Sequence, residues 1–263
     1  MLAATLVDCR ALLASGGKDV PGGQALIDEI LAGLDEPREE GELAAWLEAF
    51  AGPNGERREV LADVVTLVVR DLADGDGPPP GAGARDLWRE LVILTDRLFG
   101  SGVAPLGRLP FVSDRLLELL AEESGGAERR DDRAGEAGRF LANLAVSRKL
   151  RDAVATGVGF PVAPTYRAVY LYDIPGSHVE THVDSHDYEV VFHLILDHVV
   201  PSGGAGSALV VHRVGEPEPH RVRVRPGEAL ALRGRGTIHS WEPMGPAEHR
   251  TLVAIGFERA DGR

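Results

Sequence analysis

His182, Val183 and Asp184 put two metal-ligating side chains two positions apart, and the chain later supplies His239 and then Arg250. Two imidazoles and one carboxylate make the facial set that holds Fe(II) on one side and leaves positions open on the other. An arginine further along can grip a carboxylate of a keto acid with its two-pronged guanidinium edge. The triplet suits a strand, because side chains alternate across a strand and residues two apart share a face. From Ser177 to His186 the even positions are His178, Glu180, His182, Asp184 and His186, and the odd positions are all β-branched or small. A solvated strand over an apolar face alternates in the same way. The absence of Lys or Arg among the even positions favours a metal site, and the triplet alone leaves both readings open. His178 and His186 lie four positions either side of His182, a zinc spacing on a helix. The run lacks the His-Glu-X-X-His order, however, and follows the turn signal Pro175-Gly176. Both are read as pocket-edge or solvent histidines.

The elements that must carry these residues read as short strands. Tyr166 to Asp173, Tyr188 to Leu196, Ala208 to His212, Val222 to Val224, Ala229 to Leu232, Thr237 to Trp241 and Thr251 to Phe257 are β-patterned and bounded by Gly and Pro turns. With the triplet's own stretch they predict about eight strands, the pattern of a sandwich or jelly roll. His193 lies in an apolar run, where a core histidine is the ordinary outcome. Trp241 shares a strand face with His239 and suits a pocket wall or a core position. His198, His212 and His220 read as surface residues at strand ends and loops.

In this order the motifs resemble the double-stranded β-helix of the Fe(II)/2-oxoglutarate-dependent dioxygenases, nearest the prolyl-4-hydroxylase-like branch. The resemblance covers residues 166 to 258 and rests on Tyr172, Pro175-Gly176, His182-Val183-Asp184, Gly203-Gly204, Pro226-Gly227-Glu228, His239 and Arg250. It implies Fe(II) ligation by His182, Asp184 and His239, the catalytic set, and a pairing of Arg250 with the C5 carboxylate of 2-oxoglutarate. Tyr172 would add a hydrogen bond to that co-substrate. The family's frequent Ser or Thr two positions after the basic residue is Leu252 here, and its tyrosine on the strand after the triplet is missing. His193 is the candidate replacement for this second anchor. The implied reaction couples decarboxylation of 2-oxoglutarate by O2 to oxidation of an unactivated carbon, with hydroxylation as the default and ascorbate as an in vitro activator. The substrate would be an amino acid, a peptide residue or a specialised metabolite. Asp184 argues against halogenation, which in this superfamily goes with Gly or Ala at that place. Two other readings remain: a cupin-like metal-binding isomerase or sensor, and an interaction protein with a vestigial metal site.

Residues 1 to 155 read as helices. Leu26 to Leu34, Leu43 to Phe50, Val60 to Leu72, Leu87 to Phe99, Leu116 to Leu120 and Phe140 to Leu150 carry apolar residues at helical spacing. Breaks fall at Asp74 to Ala84 and at Ser124 to Gly138, the second a charged loop and a candidate lid. The expected architecture is therefore α+β: a helical region over 1–155, as brace or substrate-recognition domain, before a β-helix oxygenase domain over 156–263. A net charge of −13 argues against nucleic-acid binding. Cys9 is the only cysteine, which excludes an intramolecular disulfide and fits a reducing cytoplasm. The first residues lack a basic signal-peptide region, and no apolar run approaches bilayer length. Lysine occurs only as Lys18 and Lys149, an arginine-rich bias that favours a bacterial biosynthetic enzyme over a housekeeping one.

Overall fold

The computed structural model describes residues 42–52, 82–128, 133–184, 188–202 and 204–260, together with Leu61, Val65, Val69 and Leu72. The helices among them are α1 (Glu42–Ala51), α2 (Ala82–Phe99), α3 (Asp114–Gly126), α4 (Arg139–Ala145) and α5 (Arg148–Val158). The strands are β1 (Val103–Gly107), β2 (Ala134–Glu136), β3 (Val162–Asp173), β4 (Val179–His182), β5 (Val190–Val199), β6 (Leu209–Val211), β7 (His220–Val222), β8 (Ala229–Leu232), β9 (His239–Trp241) and β10 (His249–Arg259). They form a six-stranded sheet of order β1-β8-β5-β10-β3-β2 and a four-stranded sheet of order β4-β9-β6-β7. Every pairing is antiparallel.

Alternation along the strands sorts side chains into three layers. Tyr170, Tyr172, Phe192, Leu194, Val253, Ile255 and Phe257 cover one face of the six-stranded sheet and pack on Leu120, Leu141, Leu150 and Val154 of α3 to α5. The opposite face turns Leu230 and Leu232 toward Leu209, Val211 and Trp241 of the four-stranded sheet. The outer side of that smaller sheet, through Val183 and Ile238, is buried against Trp88, Leu91, Leu94 and Leu98 of α2 and Leu47 of α1. Burying Val183 outward is what turns its neighbours His182 and Asp184 inward, and Ile238 does the same for His239. Helix boundaries follow local chemistry: the Ser113 hydroxyl accepts from Leu116 N at the start of α3, and Gly159 closes α5 with φ 82°.

Several expectations need correction. The first 155 residues are not all helix, because β1 and β2 are the two edge strands of the large sheet, paired with β8 and β3. The loop expected over 124–138 is shorter: α3 runs through Gly126 and residues 134–136 add to the sheet. Arg133 anchors that segment by donating to the Asp173 carboxylate and the His178 carbonyl. An open lid there is excluded for these residues, since a strand that hydrogen-bonds to a sheet edge is part of the sheet. The helix expected at Leu26 to Leu34, His186 and Gly203 lie outside the described residues. Two histidines expected at the surface are inside: His212 is buried, and His198 bonds the buried Glu248 at 2.6 Å.

Candidate metal centre

His182 ends β4 and His239 begins β9, and the two are direct cross-strand partners. Their rings lie 4.3 Å apart between centroids. Beyond His182 the chain leaves the strand, and Asp184 N donates to the Gly234 carbonyl, which turns the Asp184 side chain back toward both rings. A Cβ on Gly234 would fall 1.5 Å from Asp184 Oδ2, so this backbone approach requires glycine. The Nε2 atoms of His182 and His239 stand 3.5 and 3.9 Å from Asp184 Oδ1. Ligand atoms of all three residues lie within 4.8 Å of one another.

Protonation makes this cluster informative. His182 Nδ1 faces the Glu180 carbonyl at 2.7 Å, and His239 Nδ1 faces the Thr237 carbonyl at 2.8 Å. A carbonyl only accepts, so each Nδ1 carries the proton, and in a neutral ring Nε2 presents its lone pair to Asp184. Burial, with His182 nearby, pushes His239 down to about 4, so it is neutral at pH 7. Burial alone would raise the Asp184 carboxyl, but His239 and His182 hold it below its ordinary value. Asp184 Oδ2 is buried and has no hydrogen-bond partner. Two ring nitrogens and a carboxylate oxygen therefore converge, the other carboxylate oxygen has no partner, and a cation at their centre would satisfy them together. The residues fit a divalent metal, and His182, Asp184 and His239 would hold it.

Inward from the triad, the same faces carry Trp241, His193 and Arg250. Trp241 follows His239 by two residues on β9, about 7 Å along the strand. It stacks on His193 at 5.8 Å and lies under the Arg250 guanidinium at 3.8 Å. His193 is buried, its Nδ1 has no partner, and burial pushes it down to about 4. Arg250 is 2% exposed and donates through Nε (3.0 Å) and Nη2 (2.5 Å) to Asp173 Oδ2, while Arg133 holds Oδ1 at 2.6 Å. Burial lowers the Arg250 pKa from its ordinary value, against the pull of Asp173. Asp173 occupies the side edge of the guanidinium and leaves the Nη1–Nη2 edge as a second fork.

Tyr172 is the site candidate that these contacts separate from the others. Its hydroxyl donates to the Ser124 carbonyl at 2.6 Å, on the helix-covered face of the sheet. Asp173, the next residue, is the one whose side chain meets Arg250. The Tyr172 hydroxyl thus lies on the face opposite to Asp173 and Arg250, because neighbours on a strand point to opposite faces. Sequence reading missed Asp173, Arg133 and Gly234. The only local sign of Asp173 was an acid ending an apolar strand, and Arg-Gly-Arg-Gly hinted at a tight approach near Gly234. Arg133 carried no signal.

No family model and no curated protein matches the sequence. Among solved structures, the chain is similar at 17% identity to HygX of Streptomyces hygroscopicus with nickel, 2-oxoglutarate and hygromycin B bound. That likeness covers 61% of this chain and 84% of HygX, with a TM-score of 0.49. It is also similar to a 2OG-Fe(II) oxygenase family protein of Burkholderia pseudomallei, at 14% identity over 57% of this chain and 81% of the other, with a TM-score of 0.47. A Pseudomonas putida prolyl-4-hydroxylase is 19% identical over 64% of this chain and 98% of its own, with a TM-score of 0.43.

Proposed function

We propose that this chain is an Fe(II)- and 2-oxoglutarate-dependent oxygenase acting on a small-molecule or peptide substrate. Strands β3 to β10 would form a double-stranded β-helix. Apart from the consecutive pair β6 and β7 they alternate between the sheets, giving orders 8-5-10-3 in one and 4-9-6-7 in the other, and the inner faces of both sheets contribute to the site.

The carrying observation is the convergence of the ligand atoms of His182, Asp184 and His239 within 4.8 Å, with Asp184 Oδ2 buried and unpartnered. The bound metal supplies the activation of O2 and of the keto acid. This chain's own groups supply the rest. Arg250 offers its end edge to the C5 carboxylate, and its positive charge survives there because Arg133 shares Asp173 with it. His193, the buried imidazole whose surroundings include Asp184, His239 and Arg250, is the second anchor, with Nδ1 open to a ligand oxygen or hydroxyl. Trp241 forms a flat apolar wall along the same path, which excludes water from the co-substrate. Hydroxylation of an unactivated carbon is the reaction this site serves, in a cytoplasmic enzyme. Among the described residues no helix is long and apolar enough to cross a membrane.

The test pairs binding with turnover. Calorimetry with Ni(II) should show one tight site that is lost in Asp184→Ala. The Ni(II)-loaded protein should then bind 2-oxoglutarate, about 30-fold or more weaker in Arg250→Ala, as loss of a desolvated bidentate pair predicts. With Fe(II), ascorbate and O2, succinate should form from 2-oxoglutarate. Metal binding without any 2-oxoglutarate binding would favour the cupin-like reading instead.

A further inference from the structure

A second cavity lies on the other side of the metal-bearing sheet, between α2 and the connection from β6 to β7, with a volume of about 470 Å3. That is the size of a small-ligand pocket. Its relation to the triad is close but external. Val211 is the cross-strand partner of His239, and the next residue, His212, lines the cavity. Val92 of α2 lines it too and belongs to the core that buries Val183 and Ile238, so the cavity backs onto the outward side of the metal strands.

Its walls differ in chemistry. The inner wall is aromatic: the Trp88 and His212 rings meet edge to face at 4.8 Å, both nearly fully buried. His212 is 6% exposed, and its Nε2 has no hydrogen-bond partner. Burial pushes the ring down to about 4, so it is a neutral imidazole at pH 7. The rim carries Arg85 and Arg89, four residues apart and therefore on one face of α2. Facing them, Arg213 and Glu216 pair with each other at 3.7 Å, which leaves Glu218 as the second carboxylate. The lining thus gathers Arg85, Arg89 and Arg213 with Glu216 and Glu218, on a chain of net charge −13. The metal reading uses none of these residues.

We propose that this cavity is a second ligand site, for a small aromatic carboxylate. The ring would lie against Trp88 and His212 and the carboxylate would meet Arg85 and Arg89. An aromatic body suits an aromatic wall at the depth of the pocket, and a carboxylate suits guanidinium groups at its rim. Failure of the metal and 2-oxoglutarate reading would leave this site standing, since the two share no residue.

The probe is 2-naphthoate, titrated into the full chain and followed by tryptophan fluorescence and calorimetry. Saturable binding is expected, about tenfold or more weaker for the neutral 2-naphthamide and for the Arg85→Ala/Arg89→Ala variant, a loss of about 1.4 kcal/mol or more. Ni(II) binding should be unchanged in that variant, and saturating 2-oxoglutarate should not displace the naphthoate. Absence of saturable binding at millimolar naphthoate would overturn the proposal. So would equal affinity in the double variant, or displacement by 2-oxoglutarate, which would put the probe between the sheets instead.

Discussion

At the triad end of the space between the sheets, two imidazoles and a carboxylate face one another, whereas at the arginine end two guanidinium groups enclose one carboxylate. His182 and His239 spend their Nδ1 protons on backbone carbonyls, and Asp184 Oδ2 has no hydrogen-bond partner. Arg250, Arg133 and Asp173 satisfy one another and still leave a net positive charge. Under the proposed function, the first cluster would take up a cation, and the second would hold the fold together and receive an anion as well. Buried charge would then serve binding at one end and both stability and binding at the other.

The comparison breaks first if the triad is not a pure binding cluster. Gly234→Ala should cost most, because the new Cβ and Asp184 Oδ2 cannot share a position 1.5 Å apart. Ni(II) affinity should fall about 100-fold or more, while far-UV circular dichroism stays native. Asp184→Asn should likewise abolish Ni(II) binding, while far-UV circular dichroism of the metal-free protein stays native.

At the arginine end the same kind of change should act on folding. Arg250→Ala leaves Asp173 with Arg133 as its remaining ion-pair partner among the described residues, and breaking a buried pair from one side costs up to about 3–5 kcal/mol. Urea unfolding should show that loss, and Asp173→Asn on the same background should recover part of it. Near Arg250, Glu248 sharpens the contrast through pH. Burial alone would raise its carboxyl, but donors from Gly245, Ser207 and His198 bring it down to about 2, against an ordinary 4.5. A depressed folded-state value adds stability that is present above about 4.5 and lost as pH falls toward 2. Glu248→Gln should therefore destabilise the protein by up to about 3 kcal/mol at pH 7 and by much less at pH 3, read from paired urea titrations.

The smallest effect belongs to the far side of the large sheet. Tyr172→Phe removes one buried hydrogen bond to Ser124 and should cost about 1 kcal/mol of stability. Affinities for Ni(II) and 2-oxoglutarate should be unchanged. A marked loss of 2-oxoglutarate affinity would return Tyr172 to the co-substrate pocket.

What the amino-acid order determined by itself was whatever a strand's period of two can express. His182 and Asp184 share a face with apolar Val183 between them, and the strand series from residue 162 onward follows alternation and turn residues. His239 and Arg250 were legible only through their order after the triplet. The tertiary structure decided which of two adjacent residues faces the site, because alternation fixes opposite faces without saying which is buried under helices and which lies between sheets. Tyr172 and Asp173 point to opposite faces on that account, and Asp173 is the one that meets Arg250. It also decided the partners, since Arg250 and Asp173 stand 77 positions apart and meet only through the register of β3 against β10. The two edge strands drawn from the helical half, the burial of His212 and the pairing of half-buried His198 with Glu248 come from the same source. Short segments gain a sheet edge or an interior wall from neighbours distant in the chain, and no local pattern encodes those neighbours.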